Sequence, residues 1–267
     1  MQYKPETRDE LKELVRDLSI NLGDIDTSLI TNMRGLFLNT VRTDFSGIEN
    51  WDVSNVTDMS SMFEGAMDFN QDINNWNVSN VNNMFGMFYF AKNFNQPLND
   101  WDVSNVKNMS LMFKNAKNFN QPLDKWDVSN VTDMSFMFAE AKNFNQSLDN
   151  WNVSNVDNMF SMFSGTENFN QPLNDWDVSS VTDMGYMFRE AKNFNQPLDN
   201  WDVSNVKRMS AMFAKARNFN QDISNWDVSD ATDMSWMFDG AENFNQDISS
   251  WDEHKNEKSN KSIRKNK

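Results

Sequence analysis

A curved α/β solenoid, with one short parallel strand and one short helix in each turn, is the fold class the sequence predicts. Three observations predict it. A 25-residue unit headed by Trp is written eight times in unbroken register from Trp51, as in "WDVSNVTDMSSMFEGAMDFNQDINN" (51–75) and "WNVSNVNNMFGMFYFAKNFNQPLND" (76–100). Apolar residues recur at positions 6, 9, 12, 13 and 16 of the unit, counted from the Trp, with the three- and four-residue spacing of one helix face. Trp and Val at positions 1 and 3 alternate with polar residues, as in a short strand. A fixed period of this length marks stacked repeats and overrides the one or two globular domains that 267 residues would suggest.

Residues 1–24 are expected to form an N-terminal helical cap. Thr7 and Glu10 make a capping box, and Leu11, Leu14, Val15 and Leu18 fall on one side of the helix it starts. Residues 25–50 read as a divergent first turn of the 25–250 solenoid, with Ile25 and Thr27 at positions 1 and 3 and Met33, Leu36 and Phe37 at 9, 12 and 13. Within the eight repeats of 51–250, the fourth shows the expected helix: Val131, Met134, Met137, Phe138 and Ala141, with Asn130 as N-cap, Asp133 in the first turn, and Lys142 and Asn143 at the close. The next strand is "LDNWNV" (148–153).

Strands stack about 4.7–4.9 Å apart and helices about 8–10 Å apart, so turns of both splay into a curved rod with strands on the concave face. Pro97, Pro122, Pro172 and Pro197 lack an N–H and belong in the connection before the strand. The Asn-Gln pair at positions 20 and 21 is expected to stack into amide ladders that satisfy core polar groups. Trp251 opens a further unit, but residues 251–267 continue as a basic tail. Disorder of that tail and end-to-end association through an uncapped last turn both stay open.

Composition narrows the function classes. There is no Cys, which excludes disulfides and thiol catalysis, and no run approaches the ~18 apolar residues of a membrane span. The formal charge is −15, carried by the repeats, where 27 Asp and Glu stand against 12 Lys and Arg. Such a body repels phosphate backbones and argues against nucleic-acid binding. The single His, His254, lies in the tail, so neither a His-based triad nor a His-rich metal site is expected, and Gly is too scarce for a phosphate cradle. The expectation is a protein without enzymatic activity or cofactor. The first residues, "MQYKPETRDELKELV", are acidic where a secretory leader is basic and apolar.

The word "LxxWDVSNVTDMSxMFxxAxxFNQ", covering residues 25–251, resembles the repeats of bacterial BspA-type leucine-rich repeat surface proteins. The resemblance implies a leucine-rich-repeat-like coil, with Leu148, Trp151 and Val153 in the places of its LxxLxL pattern. It also implies a ligand-binding or adhesive role at the cell surface. No lipid-attachment Cys or wall-sorting motif accompanies the repeats.

Two surfaces compete as binding site. Positions 10 and 11 change from repeat to repeat while the frame stays fixed, and six of eight repeats place a large apolar residue there: Phe85, Leu111, Phe136, Phe160, Tyr186 and Trp236. Tyr89 and Phe90 add to them. Either these side chains fill gaps between helices, or they form an exposed stripe of the kind that anchors protein partners. The rival is a concave column of Asp52, Asp102, Asp127, Asp177, Asp202 and Asp227 at position 2, flanked by the varying position 25 (Asp100, Lys125, Asp175). Carboxylates about 5 Å apart resist full ionisation and could take Ca²⁺; Asn at the same position in two repeats favours a simple hydrogen-bond acceptor instead. The functional expectation is a binding or adhesion module for a protein ligand held over several turns. The alternative is a self-associating structural element, assembling through the stripe or the last turn.

Overall fold

The computed structural model describes residues 2–254. Each 25-residue unit makes one turn of a coil and lies on the unit before it, but neither the helix nor the strand expected in each turn forms. The α/β assignment is therefore overturned: α1 (Arg8–Arg16) is the one α-helix among the described residues, and isolated parallel bridges, one per repeat, replace the strands.

The helix-like spacing has another cause. In the fourth repeat the Met137 N–H donates to Met134 C=O, and Ala141 N–H to Phe138 C=O, at 3.1 and 2.9 Å. These are two four-residue turns in tandem. Each buries its first and last residues, so 134, 137, 138 and 141 lie in the core as one helix face would place them; the small second residues Ser135 and Ala139 are buried too, and the third residues, Phe136 and Glu140, reach the surface. Ser135 and Ala139 N–H also stay local, on Asp133 Oδ1 and Phe136 C=O, whereas Met134, Phe136, Phe138 and Glu140 donate to Asn158, Phe160, Met162 and Ser164 of the next repeat at 2.7–3.0 Å. Hydrogen bonds between successive turns hold them near strand spacing, about 4.8 Å, where helices needing about 8–10 Å do not fit.

The expected strand is replaced by side chains. Around Trp151 the chain turns twice, Trp151 N–H to Leu148 C=O and Val156 N–H to Val153 C=O. What crosses to the neighbouring turn is the indole, with Trp151 Nε1–H donating to Leu123 C=O at 2.9 Å, a contact repeated from Trp51 to Trp226. Asn130 is no N-cap: its amide donates to Ser104 C=O one turn back, as do its equivalents Asn80, Asn105 and Asn155 on their own neighbours. The Asn-Gln ladder is present, with Asn120 Oδ1 accepting both the Asn145 N–H and the Gln146 amide.

Fixed aromatic letters become columns. Phe113, Phe138 and Phe163 stack at 5.6–5.7 Å between centroids and within 8° of parallel. Each also faces the phenylalanine six residues on, Phe138 and Phe144 at 4.1 Å. One apolar core runs without interruption from Leu11 to Trp251.

At the N-terminus, Thr7 Oγ1 accepts from Glu10 N–H, while the Glu10 carboxylate takes the N–H of Glu6. Leu11 and Val15 are buried, but the helix ends at Arg16 and Leu18 is exposed. Gly47, at φ 93°, lies so close to Gly23 that a Cβ would collide with the Gly23 backbone. Arg42, in the divergent turn, is buried and donates to the carbonyls of Val15, Asp17, Ile20 and Asp44, tying the cap to the coil. The reading of residues 251–267 as a tail falls, from 255 onward, outside the described residues.

Candidate functional site

The tandem turns decide where positions 10 and 11 point. The third residue of each four-residue turn has positive φ, which places positions 11 and 15 in the left-handed region throughout the coil. That backbone favours Gly or Asn and is costly for a bulky side chain. Position 15 follows the preference in several repeats, with Gly65, Asn115, Gly165 and Gly240. Position 11 largely does not: Leu111, Phe136, Tyr186 and Trp236 sit at φ 58–62°, where Gly86 shows what the backbone would accept without strain.

These side chains point out of the core. Phe85 and Trp236 are exposed, the latter by 56%, and Leu111, Phe136, Phe160 and Tyr186 are half-buried. Phe160 lies over Gly185, whose missing side chain leaves room for the ring. It meets Phe136 edge-on at 5.1 Å and Tyr186 at 5.4 Å. Lys114 carries the row further, its ammonium 4.4 Å from the Phe136 ring centre and 5.5 Å from Tyr89, which packs on Phe90 at 4.6 Å. Phe90, Tyr89, Lys114, Phe136, Phe160 and Tyr186 thus form a connected strip over five turns, roughly 20 Å at strand spacing. Phe85 and Trp236 have no aromatic neighbour among the described residues; Ala211 separates Trp236 from the strip. The sequence singled out the aromatic residues but not the lysine that joins them, nor the strained backbone that presents them.

The rival column has a different local role. Asp52, Asp102, Asp177 and Asp202 each accept, through Oδ1, both the N–H and the hydroxyl of the Ser two residues on; Asn77 and Asn152 do the same. The serine hydroxyl and then its N–H hold the Asp127 and Asp177 carboxyls below the usual range. Among the described residues no group of three His, Cys, Asp or Glu is placed to hold a metal ion. Asp127→Asn is expected to change stability by less than about 0.5 kcal/mol at neutral pH, and Asp127→Ala to cost about 1 kcal/mol, the net value of a hydrogen bond. A lowered carboxyl stabilises above its unfolded pKa and loses that contribution as pH falls through the folded value. The Asn variant should therefore be less acid-sensitive below about pH 4 in denaturant titrations.

Position 8 shows charge control where the chain is more buried. Its residues pair directly across the bridges from Asn32 to Asp233, and no bridge joins two acids. Between Asp183 and Asp233 stands Arg208, whose guanidinium contacts Asp183 Oδ2 at 2.6 and 3.0 Å. At exposed position 2 the acids Asp177, Asp202 and Asp227 follow one another without such spacing. At position 8, where water screens them less, like charges are kept apart.

No helix among the described residues is long and apolar enough to cross a membrane. The stacked turns, repeated indole crossings and aromatic columns define a tandem-repeat protein. Residues 9–124, 98–181 and 169–267 match, in three overlapping stretches, the family described as "Mycoplasma protein of unknown function, DUF285", and the chain belongs to that family. No curated protein and no solved structure matches it significantly.

Proposed function

We propose that the chain is a non-enzymatic binding module that holds a protein ligand along the strip from Phe90 to Tyr186. The observation that carries this reading is the conformation of position 11. Leu111, Phe136 and Tyr186 occupy left-handed backbone, where side chains of this size cost stability, and they contribute little to the buried core. Outliers of this kind gather at functional surfaces, and aromatic residues anchor interfaces. The resemblance to bacterial BspA-type surface proteins supports an adhesive role for the module at a cell surface.

The test exploits the same backbone. Leu111→Gly/Phe136→Gly/Tyr186→Gly should remain folded, with a thermal midpoint equal to or above wild type, because Gly adopts positive φ freely. Peptides selected from a random library on the wild type should bind this variant at least about tenfold more weakly, a loss of about 1.4 kcal/mol. Equal binding to both proteins would end this reading.

A second reading, self-association, has its own support. The N–H groups of Met234, Trp236, Phe238 and Gly240 correspond to those that donate onward in every earlier repeat, and they have no acceptor among the described residues. Unpaired ladder groups are templates for pairing with another chain. Sedimentation equilibrium of the protein alone, over a concentration series, would show mass growth under this reading.

A further inference from the structure

Charge pairing is uneven along the coil. Every Lys and Arg of the repeats from Lys125 to Arg217 has a carboxylate oxygen at 2.6–3.3 Å. The four earlier ones, Lys92, Lys107, Lys114 and Lys117, form no such pair among the described residues, although acids outnumber bases more than twofold in the repeats. Three of these lysines lie at the strip. Phe90 N–H donates to Lys114 C=O, and Asn118 N–H to Lys92 C=O, so Lys92, Lys114 and Lys117 sit on adjoining turns beside Phe90. Lys114 rests on Phe136 and Tyr89. Residues 101–125 hold four Lys against two Asp, whereas residues 51–75 hold five acids and no base.

We infer that the ligand is an acidic, extended peptide segment of another protein. Its carboxylates are received by Lys92, Lys114 and Lys117, and its apolar side chains lie on Tyr89, Phe90, Leu111 and Phe136. The inference rests on the reading of the strip as a binding surface and adds the ligand's chemistry. Charge complementarity carries it: unpaired cations are gathered at one place on an otherwise acidic surface. Acidic flanks on either side oppose a long uniform polyanion, which would have to run past them, and admit a short segment confined to the patch. The basic tail of this chain has the wrong sign to fill it.

The probe is a fluorescein-labelled eight-residue peptide of six glutamates and two tryptophans, about 26 Å when extended. Fluorescence anisotropy with the full chain should give micromolar binding that weakens as salt rises. Lys92→Glu/Lys117→Glu should weaken it at least about tenfold, and Phe136→Gly similarly. Lys192→Glu/Lys215→Glu, the same charge change away from the patch, should leave it nearly unaltered. Absence of binding, or equal loss in both charge-reversed variants, overturns the inference.

Three further outcomes also overturn it, each distinguishably. If the glutamine counterpart of the peptide binds as tightly and still depends on Phe136, the strip binds ligands but does not select acids. Tighter binding of an eight-nucleotide thymidine strand would assign the lysines to nucleic acid. Mass growth of the protein alone, abolished by Lys92→Glu/Lys117→Glu, would make a second copy the occupant.

Discussion

Replacing Phe138 with Ala should destabilise the coil by about 3–5 kcal/mol, the cost of removing a large side chain from a packed core. Phe138 is fully buried, lies between Phe113 and Phe163 in one column, and touches Phe144 and Trp151 with its faces and edge. The surrounding turns cannot collapse into the hole, because hydrogen bonds fix each turn to its neighbours on both sides. In a stack whose stability is a sum of nearest-neighbour terms, a defect at the fourth repeat also uncouples the two halves. Denaturant unfolding followed by Trp fluorescence should therefore show two transitions in the variant and one in the wild type. A single transition shifted by less than about 1 kcal/mol would mean that the columns are not the source of cooperativity.

Arg42→Ala should come next in size, at about 3 kcal/mol, with its effect confined to the N-terminal unit. The guanidinium is buried and serves carbonyls from three separate stretches, Val15 and Asp17 at the end of α1, Ile20 beyond it, and Asp44 in the divergent turn. Truncation leaves those acceptors without a donor inside the protein, and each buried unsatisfied group costs about 1–3 kcal/mol where water cannot reach it. Lys should not rescue, since one ammonium cannot span acceptors that a planar five-donor fork reaches together. Hydrogen exchange is the appropriate readout: amides of residues 8–50 should lose protection while those beyond residue 100 keep theirs. Uniform loss along the chain would show that the cap controls the whole coil.

The periodicity and the buried set were legible in the sequence; the local geometry was not. The spacing of Val131, Met134, Met137, Phe138 and Ala141 correctly marks which side chains enter the core. It cannot distinguish one helix from two tandem turns, because both bring residues three and four apart to the same side. A hint lies in the glycines and asparagine at position 15, Gly65, Asn115, Gly165 and Gly240, which recur where the pattern places the helix end but belong to left-handed backbone. Trp and Val alternate as in a strand, yet the neighbour is reached through the indole N–H, a bond that no alternation pattern encodes. Asn at position 2 did point to its role, since a residue that replaces Asp freely only has to offer an oxygen. The strip's residues were readable as outliers from a fixed word. Their connection through Lys114 required three dimensions, as did Arg42, which looks like any surface arginine in "NTVRTDF".

The ladder also gives one face of the molecule an electrical direction. In the first seven repeats the N–H groups at positions 9, 11, 13 and 15 donate toward the following turn, against those at 7, at 20 from the second repeat and at 18 from the third, which donate backward. Peptide dipoles aligned in this way add, as they do along a helix axis, leaving partial positive charge where donors emerge and negative charge where carbonyls do. The ends of the coil are dressed to match. At the carbonyl end the Arg8 guanidinium donates to Arg34 C=O. At the donor end, residues 226–250 carry six acids and no base. Along the face that carries positions 9–15 the ladder is polarised as a long helix would be, so partners approaching the two ends of that face meet opposite fields from the same repeated backbone.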